Sequence, residues 1–499
     1  MDELPCGVHG RIAVDKEYLK KGTVKTTVTL ADVKDAREAL SKIVHNTPLD
    51  RSHTFSAMTG KEVYLKLENL QKTGSFKIRG AYNKIRLLTA EEKAKGVIAA
   101  SAGNHAQGVA YAATAAGIKA TIVMPEAAPL AKIMATRGYG AEVALAGSVY
   151  DEAYQRAVQI QEDSGQTFIH AFNDLSVIAG QGTIGLEILE ALPDVSAIVV
   201  PIGGGGLIAG VAAAVKEAAP HVKVYGVQAA GAPAMYISKQ AHTVKATPDA
   251  VTMADGIAVK VPGDLTFPVI DKYVDDIVVV DDENTASTIL MLLERAKLMV
   301  EGAGAVSLAA VLQNLIPVTG KVVSVISGGN IDVNFISRII ERGLVKAGRR
   351  IKISTHVLDR PGSLQRLLAV IAKLNANVIN IYHDRIERNV PLGQGTAADK
   401  APSAGGTPGE KGSSALHPQG VSRSSKALKC QGLRIQACGS SLAVPLLITV
   451  DKGDLKKGTV PFFAQQVRAG SVRLSCHCEE RSDAAISSLA SWLEHIGQT

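Results

Sequence analysis

A lysine that follows directly on a glycine turn is the first residue in this chain with chemistry to offer. Residues 73–80 read Thr-Gly-Ser-Phe-Lys-Ile-Arg-Gly, and Lys77 opens a stretch of helical character. A primary amine condenses reversibly with a carbonyl and, once released, works as a base; a generic lysine in the same place is simply solvated. Three further segments are suited to hold an anionic or aromatic ligand. Ser101, Ala102, Gly103, Asn104 and His105 follow the apolar run VIAA. Small residues leading into a helix present backbone N–H groups to a carboxylate, although a plain strand-to-helix turn with a capping serine has the same letters. Gly203, Gly204, Gly205, Gly206 and Leu207 follow AIVVP. Four consecutive glycines let the backbone close around a phosphate, and a simple turn is the alternative. No GKS or GKT follows them, which argues against a nucleoside-triphosphate loop. Ser327-Gly-Gly-Asn330 follows KVVSVI and offers a hydroxyl.

The elements that must position these residues alternate in type. A helical spacing of Leu30, Val33, Ala36, Leu40 and Ile43 opens the periodic region. Short β-branched runs at residues 63–67, 97–100, 120–124, 197–200, 223–228 and 321–326 are then separated by Ala-rich helical stretches. Such alternation predicts an α/β fold with parallel sheets and crossover helices. Ligand sites of open α/β sheets lie at the carboxyl ends of strands, where these glycine-rich segments fall. Residues 197–215 are apolar enough to resemble a membrane span by length. Pro201 and the four glycines break the run, so it reads as strand, loop and helix, and no membrane partner is expected.

The segments SFKIRG, SAGNHAQG, GGGGL and SGGN, in this order and each behind a predicted strand, resemble the fold-type-II pyridoxal-phosphate enzymes, the tryptophan-synthase-β-like group. Within it they are most similar to the serine/threonine dehydratase family. The resemblance covers residues 27–347 and implies a catalytic region of two open parallel-sheet subdomains. It implies pyridoxal 5'-phosphate as cofactor, carried on Lys77 beside Phe76, with its phosphate in the cup Gly203–Leu207. Asn104 would bond the cofactor's phenolic oxygen, and Ser327 would face its ring nitrogen. A neutral hydroxyl there does not hold the ring protonated as a carboxylate would, which favours prompt elimination over transamination. The loop Ser101–His105 would grip the carboxylate of an amino-acid substrate. VEGAGA at residues 300–305 also resembles a site-facing segment, with Glu301 either tuning protonation or only capping the next helix.

The implied reaction is elimination of water and release of ammonia from threonine, and from serine by the same route, in isoleucine or catabolic metabolism. Threonine synthases tend to carry Asp where this chain has Ile78. The nearest rival is serine racemase, which needs a second proton carrier where this chain has Ala102. The racemases' metal ligands are likewise missing at Gln228, Ala232 and Ala234, so no metal is expected. A non-catalytic amino-acid-binding remnant is the other alternative, and intact Lys77, Asn104, glycine cup and Ser327 argue against it.

Residues 349–392 contain a strand, a turn at Asp359–Ser363, a helix and a second strand. They resemble the first half of an ACT regulatory domain, which implies an amino-acid or nucleotide effector. No strand or helix continues the pattern after Gly393. Residues 393–425 are rich in Gly, Ser, Ala and Pro and read as a disordered linker. Residues 426–499 read as a largely irregular tail with a short helical segment near Ile486, and residues 1–26 as an extension. The Cys476-His477-Cys478 cluster lacks a second ligand pair at finger spacing.

Composition agrees with an enzyme of this kind. The chain has 499 residues, 46% hydrophobic and only 4% aromatic. Of its net charge of +7, a surplus of four (12 Lys and Arg against 8 Asp and Glu) lies from Pro391 onward. The rest is scattered with no basic stripe, so no nucleic-acid partner is expected. The cysteines are Cys6, Cys430, Cys438, Cys476 and Cys478. None falls in the organised region, and the first ten residues lack an apolar signal core, so a cytoplasmic protein is expected. A homo-oligomer, dimer or tetramer, follows from the family resemblance.

Overall fold

The computed structural model describes residues 26–346, 349–358, 361–373, 376–383 and 443–452. The chain divides into two compact units at Ile340/Glu341, inside the helix Val333–Lys346.

The first unit holds β1 (Leu49–Arg51), β2 (Glu62–Leu67), β3 (Val97–Ala100), β4 (Ala120–Met124), β5 (Glu142–Leu145), β6 (Thr167–Phe168), β7 (Ala197–Pro201), β8 (Lys223–Ala229), β9 (Asp276–Val280) and β10 (Lys321–Ile326). They form two sheets, in the orders β1–β2–β10–β7–β8–β9 and β5–β4–β3–β6. Every pairing is parallel except that of β1 with β2. The strands VIAA, AIVVP and KVVSVI are buried almost throughout, as parallel strands covered by helices on both faces must be. The four strands that the sequence pattern missed are short or peripheral. Glu142–Leu145, for example, has no buried residue, so no apolar alternation marks it.

The smaller sheet is an insertion. The chain leaves the large sheet after β2, builds β3 to β6, and returns at β7. Lys77 lies on the outward crossing, and residues 170–174 lie at the start of the return. The Ser101, Gly203 and Ser327 segments follow β3, β7 and β10, so all three sit at carboxyl ends of parallel strands. Helix Leu30–Leu40 begins at the expected place, with Thr29 and Asp32 forming a reciprocal capping box.

The second unit contains β11 (Arg350–Leu358), the helix Ser363–Lys373, β12 (Ala376–His383) and β13 (Ala443–Lys452). Ile371 is buried, with Leu364, Leu367 and Leu368 of its own helix and Ile351, Ile353, Ala376 and Val378 of the strands packed against it. The βαβ expectation is met, and one reading of the tail is corrected. Residues 443–452, for which the sequence showed no place in this sheet, form its middle strand, antiparallel to both neighbours. Two features hid it. The strand is far in sequence from both its neighbours, and it contains Pro445, which ordinarily argues against a central strand. Pro445 pairs with His356 of β11, but pairing with β12 runs only from Leu446 to Lys452, so the proline sits on the one-sided stretch. The extension of residues 1–25, the linker at 393–425, the Cys476–Cys478 cluster and the helical segment near Ile486 lie outside the described residues.

Candidate active site

Helix Lys77–Arg86 begins at the lysine itself, with Phe76 as its N-cap. The segment before it is zipped to the loop after β10: Phe76 N donates to Ser327 O at 3.2 Å, and Gly329 N donates to Gly74 O at 2.9 Å. Gly74 has φ +71°, and a Cβ there would lie 2.4 Å from Asn330 Oδ1, so this turn requires glycine. Lys77 Nζ donates to the carbonyl of Ala171 at 3.0 Å and stands 5.3 Å from the Phe76 ring centroid. Burial brings its amine down to about 8, against the opposing pull of the Glu301 carboxylate. A half-buried amine that loses its proton near pH 8 suits a nucleophile and base.

Asn104 opens the helix Asn104–Ala115, and its side chain joins a relay. Asn330 Nδ2 donates to Thr73 O and to Asn104 Oδ1, both at 2.8 Å. Asn104 Nδ2 donates to Glu301 Oε1 at 2.6 Å. Burial, with Asp255 adding to it, raises the Glu301 carboxyl to about 7. Glu301 is the N-cap residue of the helix Gly302–Leu312, yet its side chain makes no capping bond. Of the two readings open for it, tuning the site is the one the geometry favours.

The glycine cup follows β7 into the helix Gly206–Ala218. Gly205 has φ +100°. Phe172 walls the cup, since a Cβ on Gly204 would lie 2.4 Å from its ring. Thr266 Oγ1 donates to Gly204 O at 2.7 Å from the other side. The first N–H groups of that helix have no acceptor within it, and no side chain caps them. A braced glycine turn with uncapped donors fits a phosphate, and the half-buried amine of Lys77 fits an aldehyde; together they fit the pyridoxal phosphate that the motifs imply.

The remaining predicted residues are placed as follows. Ser101 Oγ accepts from Gly103 N at 3.2 Å, shaping the loop rather than reaching outward. Ala102 packs against the core of the small sheet's unit. His105 is buried, with Nε2 2.7 Å from Ile169 O, and burial together with nearby Lys77 takes its pKa to about 3. A neutral imidazole committed to a main-chain carbonyl positions the loop, and it carries no charge to offer a substrate carboxylate. Ser327 is buried and donates to Ala303 O at 3.3 Å. Gln228 is also buried, its amide spent on Ile202 O at 3.4 Å and on Tyr236 N at 2.7 Å.

Sequence reasoning missed residues 170–174, HAFND. Ala171 supplies the carbonyl that holds Lys77, and Phe172 walls the glycine cup. His170 Nδ1 accepts from Asn173 N at 3.0 Å, and burial lowers its pKa to about 4. Ala171 acts through its backbone, so no side-chain type could have flagged it. It also missed the anchor of the Lys77 helix. Arg79, fully buried, forms a two-point pair with Glu68 (2.8 and 2.8 Å) and another with Glu187 (2.6 and 3.0 Å). Lys66 Nζ joins Glu187 at 2.6 Å.

Residues 40–328 match the family model described as "Pyridoxal-phosphate dependent enzyme". The chain is 58% identical over 366 residues to an L-threonine ammonia-lyase of Thermotoga maritima, covering 73% of this chain and 91% of that protein. Among solved structures it is similar to the processed form of threonine deaminase isoform 2 from Solanum lycopersicum (TM-score 0.60, 38% identity, 62% of this chain and 92% of that one). It is also similar to maize serine racemase (TM-score 0.61, 36% identity, 64% and 99%).

Proposed function

The chain belongs to the pyridoxal-phosphate dependent enzymes, and from that premise we propose that it deaminates L-threonine to 2-oxobutanoate and ammonia, as an L-threonine ammonia-lyase. The single observation that carries the reading is where the Lys77 amine sits. Its proton goes to the carbonyl of Ala171, one residue from the phenyl ring that walls the glycine cup. Relatives named for threonine deamination match this chain over most of their own length.

Bound pyridoxal phosphate supplies a conjugated electron-withdrawing ring that makes the Cα–H of an attached amino acid acidic. The protein's own residues do the rest. The cup Gly203–Leu207 would hold the phosphate on backbone N–H groups, and Phe76 and Asn104 would be the residues on the ring side. Residues 101–105 hold the substrate carboxylate through the backbone donors of the loop and helix start. The Lys77 amine, free once the substrate amine has taken its place, would take the α-proton. The β-hydroxyl would then leave as water by taking up the proton that Lys77 had received from Cα. The enamine so formed leaves the site, takes up one water and yields 2-oxobutanoate and ammonia, so the water lost in elimination is regained. Ser327 would offer a neutral hydroxyl to the ring nitrogen, which suits prompt loss of the β-substituent. Serine gives pyruvate by the same steps. Serine racemisation is the weaker reading, because Ala102 offers no proton.

The remaining parts of the reading are proposals of the same kind. The unit with β11 to β13 is an ACT-like effector module, amino-acid or nucleotide binding, and the supporting feature is its antiparallel sheet with β13 in the middle. The enzyme is a cytoplasmic homo-oligomer. Among the described residues no helix is long and apolar enough to cross a membrane. Assay of purified protein with pyridoxal phosphate tests the whole: 2-oxobutanoate and ammonia form in equal amounts from L-threonine. Absence of both products sinks the reading. Adding isoleucine or AMP tests the effector assignment, which fails if neither changes the rate.

A further inference from the structure

We infer that Asn330 is a positioning residue that fixes which way the Asn104 amide points, and that it takes its own direction from the main-chain carbonyl of Thr73. The inference rests on the reading of Asn104 as a ring-side contact.

A carboxamide presents an oxygen that accepts and an NH2 that donates, in nearly the same shape, so its orientation is decided by its neighbours. The carbonyl of Thr73 can only accept. The Asn330 atom 2.8 Å from it is therefore Nδ2. That same nitrogen lies 2.8 Å from Asn104, which must answer with Oδ1. Asn104 Nδ2 is then turned to Glu301 Oε1 at 2.6 Å, and its second hydrogen remains for an acceptor in the site. With Asn104 reversed, its oxygen would face the Glu301 carboxylate and its NH2 would face the Asn330 NH2, acceptor on acceptor and donor on donor. The direction thus passes from an invariable backbone group through two side chains to the site.

The relay is held rigidly at its outer end. Asn330 is pressed over Gly74, and the loops on either side are joined by the Gly329 N to Gly74 O and Phe76 N to Ser327 O bonds. One side chain of the Ser327 loop therefore ties that loop to the lysine segment and the Asn104 loop, 257 and 226 residues away in sequence. The charged groups that bear on the far end are Lys77, Lys132 and Asp255, all acting on Glu301.

The test uses the full-length holoenzyme. Asn330→Asp keeps the shape but, ionised, cannot donate to Thr73 O; Asn330→Ala removes the relay without reversing it. Both are expected to retain bound cofactor, since Lys77 and the glycine cup are untouched. Both should shift the pH at which the bound cofactor's absorbance changes and lower kcat by roughly 10- to 100-fold, the usual size for an outer-shell partner, with KM less affected. Asn330→Asp should be the worse of the two. In an Asn104→Ala background neither change should cost anything further in kcat or move the absorbance titration. Equal losses in both backgrounds would overturn the inference, as would an unshifted titration in the single variants. The absorbance readout needs no threonine turnover, so failure of the substrate reading leaves this result separately legible.

Discussion

Lys77 and Arg79 stand two residues apart at the start of one helix, and the structure treats their charges in opposite ways. Lys77 has a backbone carbonyl at 3.0 Å and a Glu301 whose own carboxyl is raised toward neutrality. Burial wins, and its amine drops to about 8. Arg79 is the more deeply buried, yet two carboxylates grip it at four contacts. Burial is opposed there by Glu68 and Glu187, and the guanidinium is held in its charged form. Glu68 shows the reciprocal effect: burial pushes its carboxyl up, but Arg79, Lys66 and Thr47 together hold it below its ordinary value and ionised. Burial alone therefore does not set a charge; the count and geometry of opposite partners decide it. The residue that opens the helix is made reactive, and another residue of the same turn is clamped so that the reactive end stays in place.

The largest effect that separates the two roles is expected at the lysine. Lys77→Ala removes both the anchor for the cofactor and the base, and turnover of threonine should fall by about 10³-fold or more. Its thermal stability should hardly change, because Lys77 is only half-buried and its side-chain hydrogen bond goes to the main-chain carbonyl of Ala171. Preserved production of keto acid would sink the assignment.

Arg79→Met should do the reverse. It leaves Glu68 and Glu187 without the cation that grips them at four contacts, a loss of about 3–5 kcal/mol, read from urea unfolding. The molecules that still fold should retain much of their activity. Pairing it with Glu68→Gln should restore part of the stability, and no restoration would show that the cluster is not an electrostatic unit.

A pH series sharpens the contrast further. An amine condenses with an aldehyde only when neutral, so uptake of pyridoxal phosphate by the apoprotein should slow as pH falls below about 8 and level off above it. A lysine with its ordinary value would keep gaining up to 10.5. Stopped-flow absorbance checks this, and a rate still climbing tenfold per unit above pH 9 contradicts it. The smallest effect concerns reaction choice: Ala102→Ser should raise the D-serine made per pyruvate by a few-fold while elimination stays dominant. Wild-type D-serine formation already rivalling pyruvate would overturn the choice of lyase over racemase.

Much of the site was legible in the residues because its chemistry depends on types that are hard to replace. Only a primary amine can do what Lys77 does. Only glycine tolerates the positive φ of Gly205 and the closeness of Gly204 to Phe172. The parallel strands that carry these segments were legible too, since burial on both faces forces unbroken apolar runs such as KVVSVI. Edge strands such as Glu142–Leu145, with no buried residue, left no such trace.

What the chain's letters indicated by themselves was therefore a reactive amine at Lys77, a glycine turn suited to a phosphate and the parallel strands behind them. Tertiary structure alone decided the carbonyl of Ala171 on Lys77, the direction of the Asn104 amide, the freedom of Glu301 from capping, and the place of β13 between β11 and β12. The reason is common to all four. Each depends on groups brought together across long stretches of chain, and most use backbone atoms, which every residue carries alike. Local periodicity records which face of an element is buried; it does not record what stands opposite that face.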